Sequence, residues 1–144
     1  MAEEGSGSGV ASGGGADDSE FLRIAGLRVE EVGGGGVRGW IDLDERHHTP
    51  WGVVHGGVYA AAVESAASLG ASAAVEEREQ FAVGVNNTTD FLRPVTEGRV
   101  EVVAEPIMQG KGLQLWQVII TRADDGKEVA RGQLRLQNVP LQRG

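Results

Sequence analysis

Two features of one continuous segment could do chemistry. His55-Gly56-Gly57 comes directly before an apolar run, and Glu64 is the one charged residue between Gly56 and Val75. The first amides of a helix have no intrahelical acceptor, and the helix dipole adds partial positive charge there. Two glycines let a ligand carbonyl come close to that backbone. The pattern therefore predicts an oxyanion site at the start of a helix.

Both features also have plain structural interpretations. Loop-to-helix junctions often carry glycine and a capping residue, so His55 could be a local cap and nothing more. Glu64 could lie on an exposed edge of the helix, where a carboxylate needs no partner. On a buried apolar face the same carboxylate is costly unless it is paired or used. The residues alone leave these alternatives open.

The spacing restricts how the two features could cooperate. Eight residues separate Gly56 from Glu64, which places them about 12 Å apart along one α-helix. One substrate carbonyl cannot contact both residues of the same subunit. If both act on one substrate, they must come from two chains, so the spacing favours a homodimer with shared sites.

The surrounding sequence predicts the elements that position these residues. The run from Gly56 to about Val75 is rich in alanine, valine and leucine and lacks proline, which indicates one long, mostly buried helix. A short helix at 21–25 and the order β-β-α-β-β-β-β are expected. The predicted strands are 27–32, 37–43, 81–92, 99–109, 113–122 and 128–137.

The connections between the predicted strands also carry information. Four glycines at 33–36 form the first turn, and 44–51 is a polar loop. The turns at 110–112 and 124–126 are expected to use glycine at positive φ. Because an antiparallel sheet cannot leave an apolar helix in water, the simplest packing lays the helix across one face of the sheet, an α+β architecture.

Composition sets the outer limits. The chain has 144 residues, a formal net charge of −8 and no cysteine, which excludes thiol nucleophiles and disulfides. An acidic chain of this kind is not expected to bind nucleic acid or an anionic membrane. The composition of residues 1–18 predicts a disordered Gly/Ser-rich tail, and residues 19–144 are predicted to form one folded domain. No signal-peptide pattern is present, so a cytoplasmic location is expected.

A family resemblance adds to this reading. The His55-Gly56-Gly57 motif with an acidic residue eight positions after the first glycine resembles the hotdog-fold acyl-CoA thioesterases of the phenylacetate-degradation and 4-hydroxybenzoyl-CoA types. The later run Asn86-Asn87-Thr88-Thr89-Asp90-Phe91-Leu92-Arg93-Pro94-Val95 is similar to the strand after that family's central helix. The resemblance covers about Leu27 to Val139. It implies an antiparallel sheet wrapped around one long central helix.

The resemblance also implies catalytic roles. Gly56 would donate its backbone N–H to the thioester oxygen, and Glu64 of the partner subunit would act as nucleophile or general base. Ser68 falls where one branch of the family places a helper hydroxyl. In the family, dimers commonly pair into tetramers, so a dimer of dimers is expected.

One position departs from the family pattern. The residue seven before Gly56 is often Asn or Gln, which orients the nucleophile or water, whereas this chain has Thr49. The histidines at 47 and 48 could substitute for the amide, and His48 is therefore counted with the catalytic candidates. The residues predicted to contact substrate are His55, Gly57, Trp51, Asn87 and Arg93.

Several of these residues carry alternatives. Trp51 could wall the acyl pocket or belong to the core, and Arg93 with Lys111 could supply positive charge for CoA. The spacing of His47, His48 and His55 matches no zinc signature, so no metal and no cofactor are expected.

Two rival functions fit the same residues. A hotdog hydratase or dehydratase acting on acyl thioesters would also use a loop histidine and a helix carboxylate. A non-catalytic acyl-CoA-binding module would bind the same esters without releasing thiol. Hydration of an enoyl-CoA would identify the hydratase or dehydratase. Binding of acyl-CoA without release of thiol would identify the binding module. The sequence does not identify the acyl group.

Overall fold

The computed structural model describes residues 19–142, so the predicted tail at 1–18 lies outside the described residues. The elements in chain order are α1 (Glu20–Ala25), β1 (Arg28–Gly33), β2 (Gly36–Leu43), α2 (Gly56–Val75), β3 (Gln80–Phe91), β4 (Gly98–Gln109), β5 (Leu113–Arg122) and β6 (Glu128–Pro140). Short 3₁₀ turns lie at Glu45–His47 and Glu76–Arg78. The predicted order of elements and the single long helix are confirmed.

The six strands form one antiparallel sheet in the order β1-β2-β4-β5-β6-β3. The helix α2 lies across this sheet and contacts all six strands. Strand β3 pairs with β6 and, within residues 19–142, with no other strand. One long edge of the sheet, directly beside α2, is therefore unpaired in the single chain.

Small residues let the helix come close to the sheet. Ala66, Ala67 and Ala71 of α2 are fully buried, and a Cβ added at Gly70 would lie 2.5 Å from the ring of Trp116. Among the described residues, Gly56–Arg78 is the one stretch long and apolar enough to span a bilayer by length and composition. Because this stretch packs against the sheet, its apolar composition is the one expected of a buried core helix.

The two glycine turns differ from each other. Gly126 has a φ of 73°, as expected, whereas neither Gly110 nor Gly112 has a positive φ, so that part of the prediction is wrong. The Asn138 side chain on β6 donates hydrogen bonds to the carbonyl oxygens of Gly110 and Lys111 at 3.3 and 3.0 Å. The turn is therefore held from the neighbouring strand, without left-handed backbone.

A β-bulge interrupts β3 beside the helix. Its register against β6 shifts between Gly84 and Asn86, which leaves Val85 as the extra residue. Side chains alternate along a strand, so Gly84 and Asn87 would otherwise face opposite sides of the sheet. The bulge turns both residues toward α2.

Candidate active site

The first turn of α2 presents a free backbone donor. His55 is the N-cap, and its ring Nδ1 accepts the Gly57 N–H at 2.8 Å. The Val58 N–H is taken by the His55 carbonyl oxygen at 3.0 Å. Within the described part of the chain, the Gly56 N–H has no acceptor. This amide can therefore donate to a ligand oxygen, and the helix dipole favours negative charge there.

An aromatic ring lies against that donor. A Cβ at Gly56 would be 2.6 Å from the Phe91 ring, so glycine is required by the close approach. The Tyr59 ring lies 6.2 Å from the Phe91 ring, centroid to centroid, while Phe91 itself is 56% exposed. Phe91 was not among the predicted site residues. It forms an apolar wall beside the Gly56 amide, on the side open to solvent.

The carboxylate of Glu64 is held from β3. The Asn87 side-chain amide donates to Glu64 Oε1 at 3.2 Å and to the Ala60 carbonyl oxygen at 3.0 Å. A Cβ at Gly84 would collide with Glu64 Oε2, so the glycine provides the space that the carboxylate occupies. Glu64 is half-buried. Of the two interpretations of Glu64 from sequence, the structure agrees with a paired carboxylate rather than an exposed one.

The candidates thus fall into two groups along one helix. The oxyanion end contains His55, Gly56, Gly57 and Phe91, and the carboxylate group contains Glu64 with its neighbours on β3. Because α2 is one uninterrupted helix from Gly56 to Val75, the two groups lie about 12 Å apart along its axis. A single chain does not bring both to one carbonyl.

The loop before α2 holds Thr49 and Trp51. The Thr49 hydroxyl accepts the Trp51 N–H at 3.2 Å, and the Thr49 carbonyl accepts the Gly52 N–H at 3.1 Å. Trp51 is 84% exposed, so of its two alternatives the core position is wrong. The Thr49 hydroxyl therefore also has a structural role, because it closes the turn that displays Trp51.

The two neighbouring histidines differ in availability. His47 is buried, its Nδ1 accepts the Asp44 N–H at 3.1 Å, and its Nε2 lies 2.8 Å from the Ile24 carbonyl oxygen. With both ring nitrogens engaged, His47 cannot replace a catalytic amide. His48 Nε2 lies 2.7 Å from the Thr96 carbonyl oxygen. His48 is half-buried and stays a candidate.

The remaining predicted residues lie farther along the helix and strand. Ser68 is half-buried one turn after Glu64 on α2. Arg93, just beyond the end of β3, is exposed and donates to the Glu128 carbonyl oxygen at 2.7 Å. In the structure, Arg93 therefore lies away from Glu64 and its neighbours on β3, whereas Ser68 lies one helical turn from Glu64.

Burial perturbs one titratable group at the oxyanion end. Tyr59 is 2% exposed, and burial raises the pKa of its phenol to about 12, with the positive charge of Arg122 opposing the rise. Its hydroxyl has no hydrogen-bond partner in the described part of the chain. Tyr59 is thus a neutral, apolar support for Phe91 at neutral pH.

Comparison with known proteins decides the family. A profile of the thioesterase superfamily matches residues 52–129. The chain belongs to the thioesterase superfamily. A solved structure of Rv1847 from Mycobacterium tuberculosis superposes with a TM-score of 0.82 at 43% identity, covering 87% of this chain and all of that one. The thioesterase HI1161 from Haemophilus influenzae superposes with a TM-score of 0.78 at 31% identity, covering 85% of each chain.

A curated relative links the superfamily to CoA esters. The 1,4-dihydroxy-2-naphthoyl-CoA hydrolase of Listeria monocytogenes is 32% identical over 67% of this chain and 77% of its own length. This thioesterase superfamily member is accordingly a thioester hydrolase. Its six-stranded antiparallel sheet around one long helix is the hotdog fold, and the expected fold and enzyme class are both confirmed.

Proposed function

We propose that the protein hydrolyses an acyl-CoA, with the Gly56 amide of one subunit and Glu64 of the other acting on the same thioester. In one route the Glu64 carboxylate attacks the acyl carbon, the C–S bond breaks, and water then hydrolyses the resulting anhydride. In the other, Glu64 takes a proton from the water that attacks the acyl carbon, the C–S bond breaks, and the departing thiolate takes up a proton. Both routes release the free acid and CoA thiol. The single observation that carries the proposal is the Gly56 N–H at the start of α2, which has no acceptor among the described residues.

The oxyanion role draws on the arrangement of donors at the helix start. His55 occupies the Gly57 amide, so of the two glycine amides the Gly56 N–H is the one left for a substrate oxygen. An oxyanion gains more from such a fixed donor than a neutral carbonyl does, because charge develops on the oxygen as the carbon is attacked. The Phe91 ring adds an apolar surface next to Gly56.

The shared site requires a dimer, and strand β3 supports one. Its free edge carries exposed apolar side chains, including Phe81, Val83 and Val85. Natural proteins rarely leave such an edge uncovered, and pairing with a second copy is one way to cover it. A two-fold axis beside β3 and perpendicular to α2 would set the two α2 helices antiparallel. With that axis level with Ala60, midway between the two residues, Gly56 of each chain is level with Glu64 of the other.

A dimer of dimers in the cytoplasm remains part of the proposal. Ile107, Met108 and Leu113 are exposed near the β4–β5 turn, which offers apolar surface for a second contact between dimers. Analytical ultracentrifugation should give a dimer or a tetramer. A monomer at the concentrations used for activity assays would contradict the shared site.

The reaction is tested by release of CoA thiol. The assay should cover short, medium, long and aromatic acyl-CoAs, with an enoyl-CoA included to detect hydration. At least one ester should be hydrolysed, and Glu64→Ala should reduce kcat on the order of 10²-fold or more. Full activity in folded Glu64→Ala protein would remove the proposed mechanism, while leaving the family assignment intact.

Subunit sharing can be tested by mixing two inactive variants. Gly56→Pro removes the amide donor, and the His55 ψ of 133° suits a following proline. The ring of Phe91 leaves no space for a Cβ at position 56, so both variants are made in a Phe91→Ala background. Gly56→Ala in that background keeps the N–H and serves as the steric control.

Unfolding and refolding Gly56→Pro with Glu64→Ala should yield half mixed dimers. Each mixed dimer has one doubly damaged site and one intact site, so about a quarter of all sites should recover the activity of the Phe91→Ala parent. Mixed dimers that form without any recovered activity would exclude sites shared between subunits. Loss of activity in the Gly56→Ala control would mean that space, not the amide, is what position 56 provides.

A further inference from the structure

We propose that Asn87 and Thr89 are positioning residues that hold the Glu64 carboxylate in its reactive orientation. The inference rests on the catalytic role proposed for Glu64. It concerns a chain of side-chain hydrogen bonds that runs along the inner face of β3 and ends on that carboxylate.

The chemistry of the neighbours fixes which way the Asn87 amide points. One end faces two acceptors, the Ala60 carbonyl oxygen at 3.0 Å and Glu64 Oε1 at 3.2 Å, so the NH₂ group must lie there. The other end accepts the Thr89 hydroxyl at 2.7 Å. A flipped amide would set its oxygen against the two acceptors and its NH₂ group against the Thr89 hydroxyl. Because the Thr89 hydroxyl can either donate or accept, the two acceptors on the α2 side are what specify this orientation.

Two glycines and the bulge make room for this arrangement. Thr89 faces Gly132 of β6, where a Cβ would lie 2.7 Å from the Thr89 hydroxyl oxygen. Gly84 leaves the space that Glu64 Oε2 occupies. The bulge at Val85 puts Gly84 and Asn87 on the same side of the sheet, so that one provides space for the carboxylate and the other a donor.

The contact to Ala60 explains why the amide is a good support. Asn87 is bound to the α2 backbone through Ala60 and to its own strand through Thr89, so its donor is fixed at both ends. Glu64 alone has a flexible side chain, whereas a reacting group loses rate when it is misplaced by as little as 1 Å. Neither Asn87 nor Thr89 needs to touch the substrate, so their loss should lower kcat rather than raise KM.

The same strand offers a matched control on its other face. The Thr88 hydroxyl donates to the Asn86 side-chain oxygen at 3.2 Å, which repeats the Thr89–Asn87 pair one residue earlier. Asn86 and Thr88 are both exposed, and in the described structure neither makes a hydrogen bond with Glu64. Substitutions there change the same residue types in the same strand without reaching the carboxylate.

The experiment compares steady-state hydrolysis of the preferred acyl-CoA by five single variants and one double variant. Asn87→Ala should lower kcat roughly 10- to 100-fold, and Thr89→Val about 3- to 10-fold, with KM changed less than about 3-fold in each. Thr89→Ser, which keeps the hydroxyl, should stay within about 2-fold of the parent. The controls Asn86→Ala and Thr88→Val should retain full kcat. Adding Thr89→Val to Asn87→Ala should cost less than about 2-fold more.

Several results would overturn the inference. They are full kcat in folded Asn87→Ala protein, a loss confined to KM, equal kcat in Thr89→Val and Thr89→Ser, or additive effects in the double variant. If Asn87→Ala fails to fold, the two Thr89 variants alone decide. Glu64→Ala separates this inference from the proposed function. Loss of activity there with full activity in the Asn87 and Thr89 variants rejects only the positioning chain.

Discussion

Two glycines of α2 each lie against an aromatic ring, one near each end of the helix. Gly70 packs on Trp116, which is fully buried, and Gly56 packs on Phe91, which is 56% exposed. The Trp116 ring is also fixed by a hydrogen bond from its Nε1 to Gln114 Oε1 at 2.8 Å. No comparable polar contact holds Phe91 in the described structure. The same kind of contact therefore closes the core at one end and borders the candidate site at the other.

The difference shows how one helix meets two requirements. Around Gly70 the space between helix and sheet is filled, and Gln114 also donates to the Ala71 carbonyl oxygen at 3.0 Å. Around Gly56 the backbone amide has no partner among residues 19–142, and the neighbouring ring is half in solvent. Substitutions at the Gly70 end should thus affect stability, whereas those at the Gly56 end should affect activity.

The largest effect should come from removing the buried ring. Trp116→Ala should lower the free energy of unfolding by about 3–5 kcal/mol, because it leaves a cavity and deprives Gln114 of a donor. Phe91→Ala should cost about 1 kcal/mol or less, since half of that ring already contacts water. Urea unfolding followed by circular dichroism measures both. Equal losses for the two variants would contradict the contrast between the two ends.

A smaller loss should follow from filling the gap at Gly70. A Cβ there would lie 2.5 Å from the Trp116 ring and 3.0 Å from Val37, and neither buried side chain has space to move. Gly70→Ala should therefore destabilise by about 1–3 kcal/mol despite the higher helix propensity of alanine. Gly35→Ala, where a Cβ meets nothing within 4 Å, is the control and should be close to neutral. A more stable Gly70→Ala protein would show that the close approach is not needed.

Sequence patterns predicted the helices and strands better than they predicted the side-chain contacts near Gly56 and Gly70. The helix Gly56–Val75 and the strand Leu113–Arg122 were predicted with the bounds observed, because long apolar runs between clear turn signals leave few alternatives. The strand β6 continues to Pro140, beyond the predicted end at 137, because it pairs with the start of β3. Such an extension depends on a partner distant in sequence.

The residues around the Glu64 carboxylate show which contacts the sequence alone could not predict. Glu64 and Gly56 stood out by residue type, whereas the hydrogen bond from Asn87 to Glu64 was not predicted. Only the bulge at Val85 brings Asn87 to that face, and a one-residue insertion leaves no simple pattern. Gly84 did carry a usable signal, since a glycine inside a strand often marks the close approach of another group.

The next largest effect concerns His55, the N-cap of α2, at the end of the helix that borders the candidate site. His55→Ala removes the acceptor of the Gly57 N–H and should lower the free energy of unfolding by roughly 1 kcal/mol. His55→Asn should recover most of that loss, because asparagine is a favoured N-cap. Thermal unfolding of the three proteins measures the difference. If His55→Asn restores stability but not turnover in the thiol-release assay, His55 also contacts the substrate. If His55→Ala is as stable as the parent, the Nδ1 contact does not stabilise the helix.

The smallest effect at neutral pH comes from Tyr59. The same residue also tests whether water reaches the interior at the Gly56 end of α2. It is the single tyrosine of the chain, so the absorbance of tyrosinate reports this residue alone. Burial raises its pKa from 10.0 to about 12, which means that the folded protein holds the phenol proton more tightly than the unfolded chain. The corresponding stability is present below pH 10 and is lost as the pH rises through about 12. Tyr59→Phe removes a buried hydroxyl that has no partner in the described structure, so at pH 7 it should leave stability unchanged or slightly raised, and between pH 10 and 12 it should lose less than the parent. A folded-state titration near 10 would mean that water reaches Tyr59 past Phe91, and that this end of the helix is open to its base.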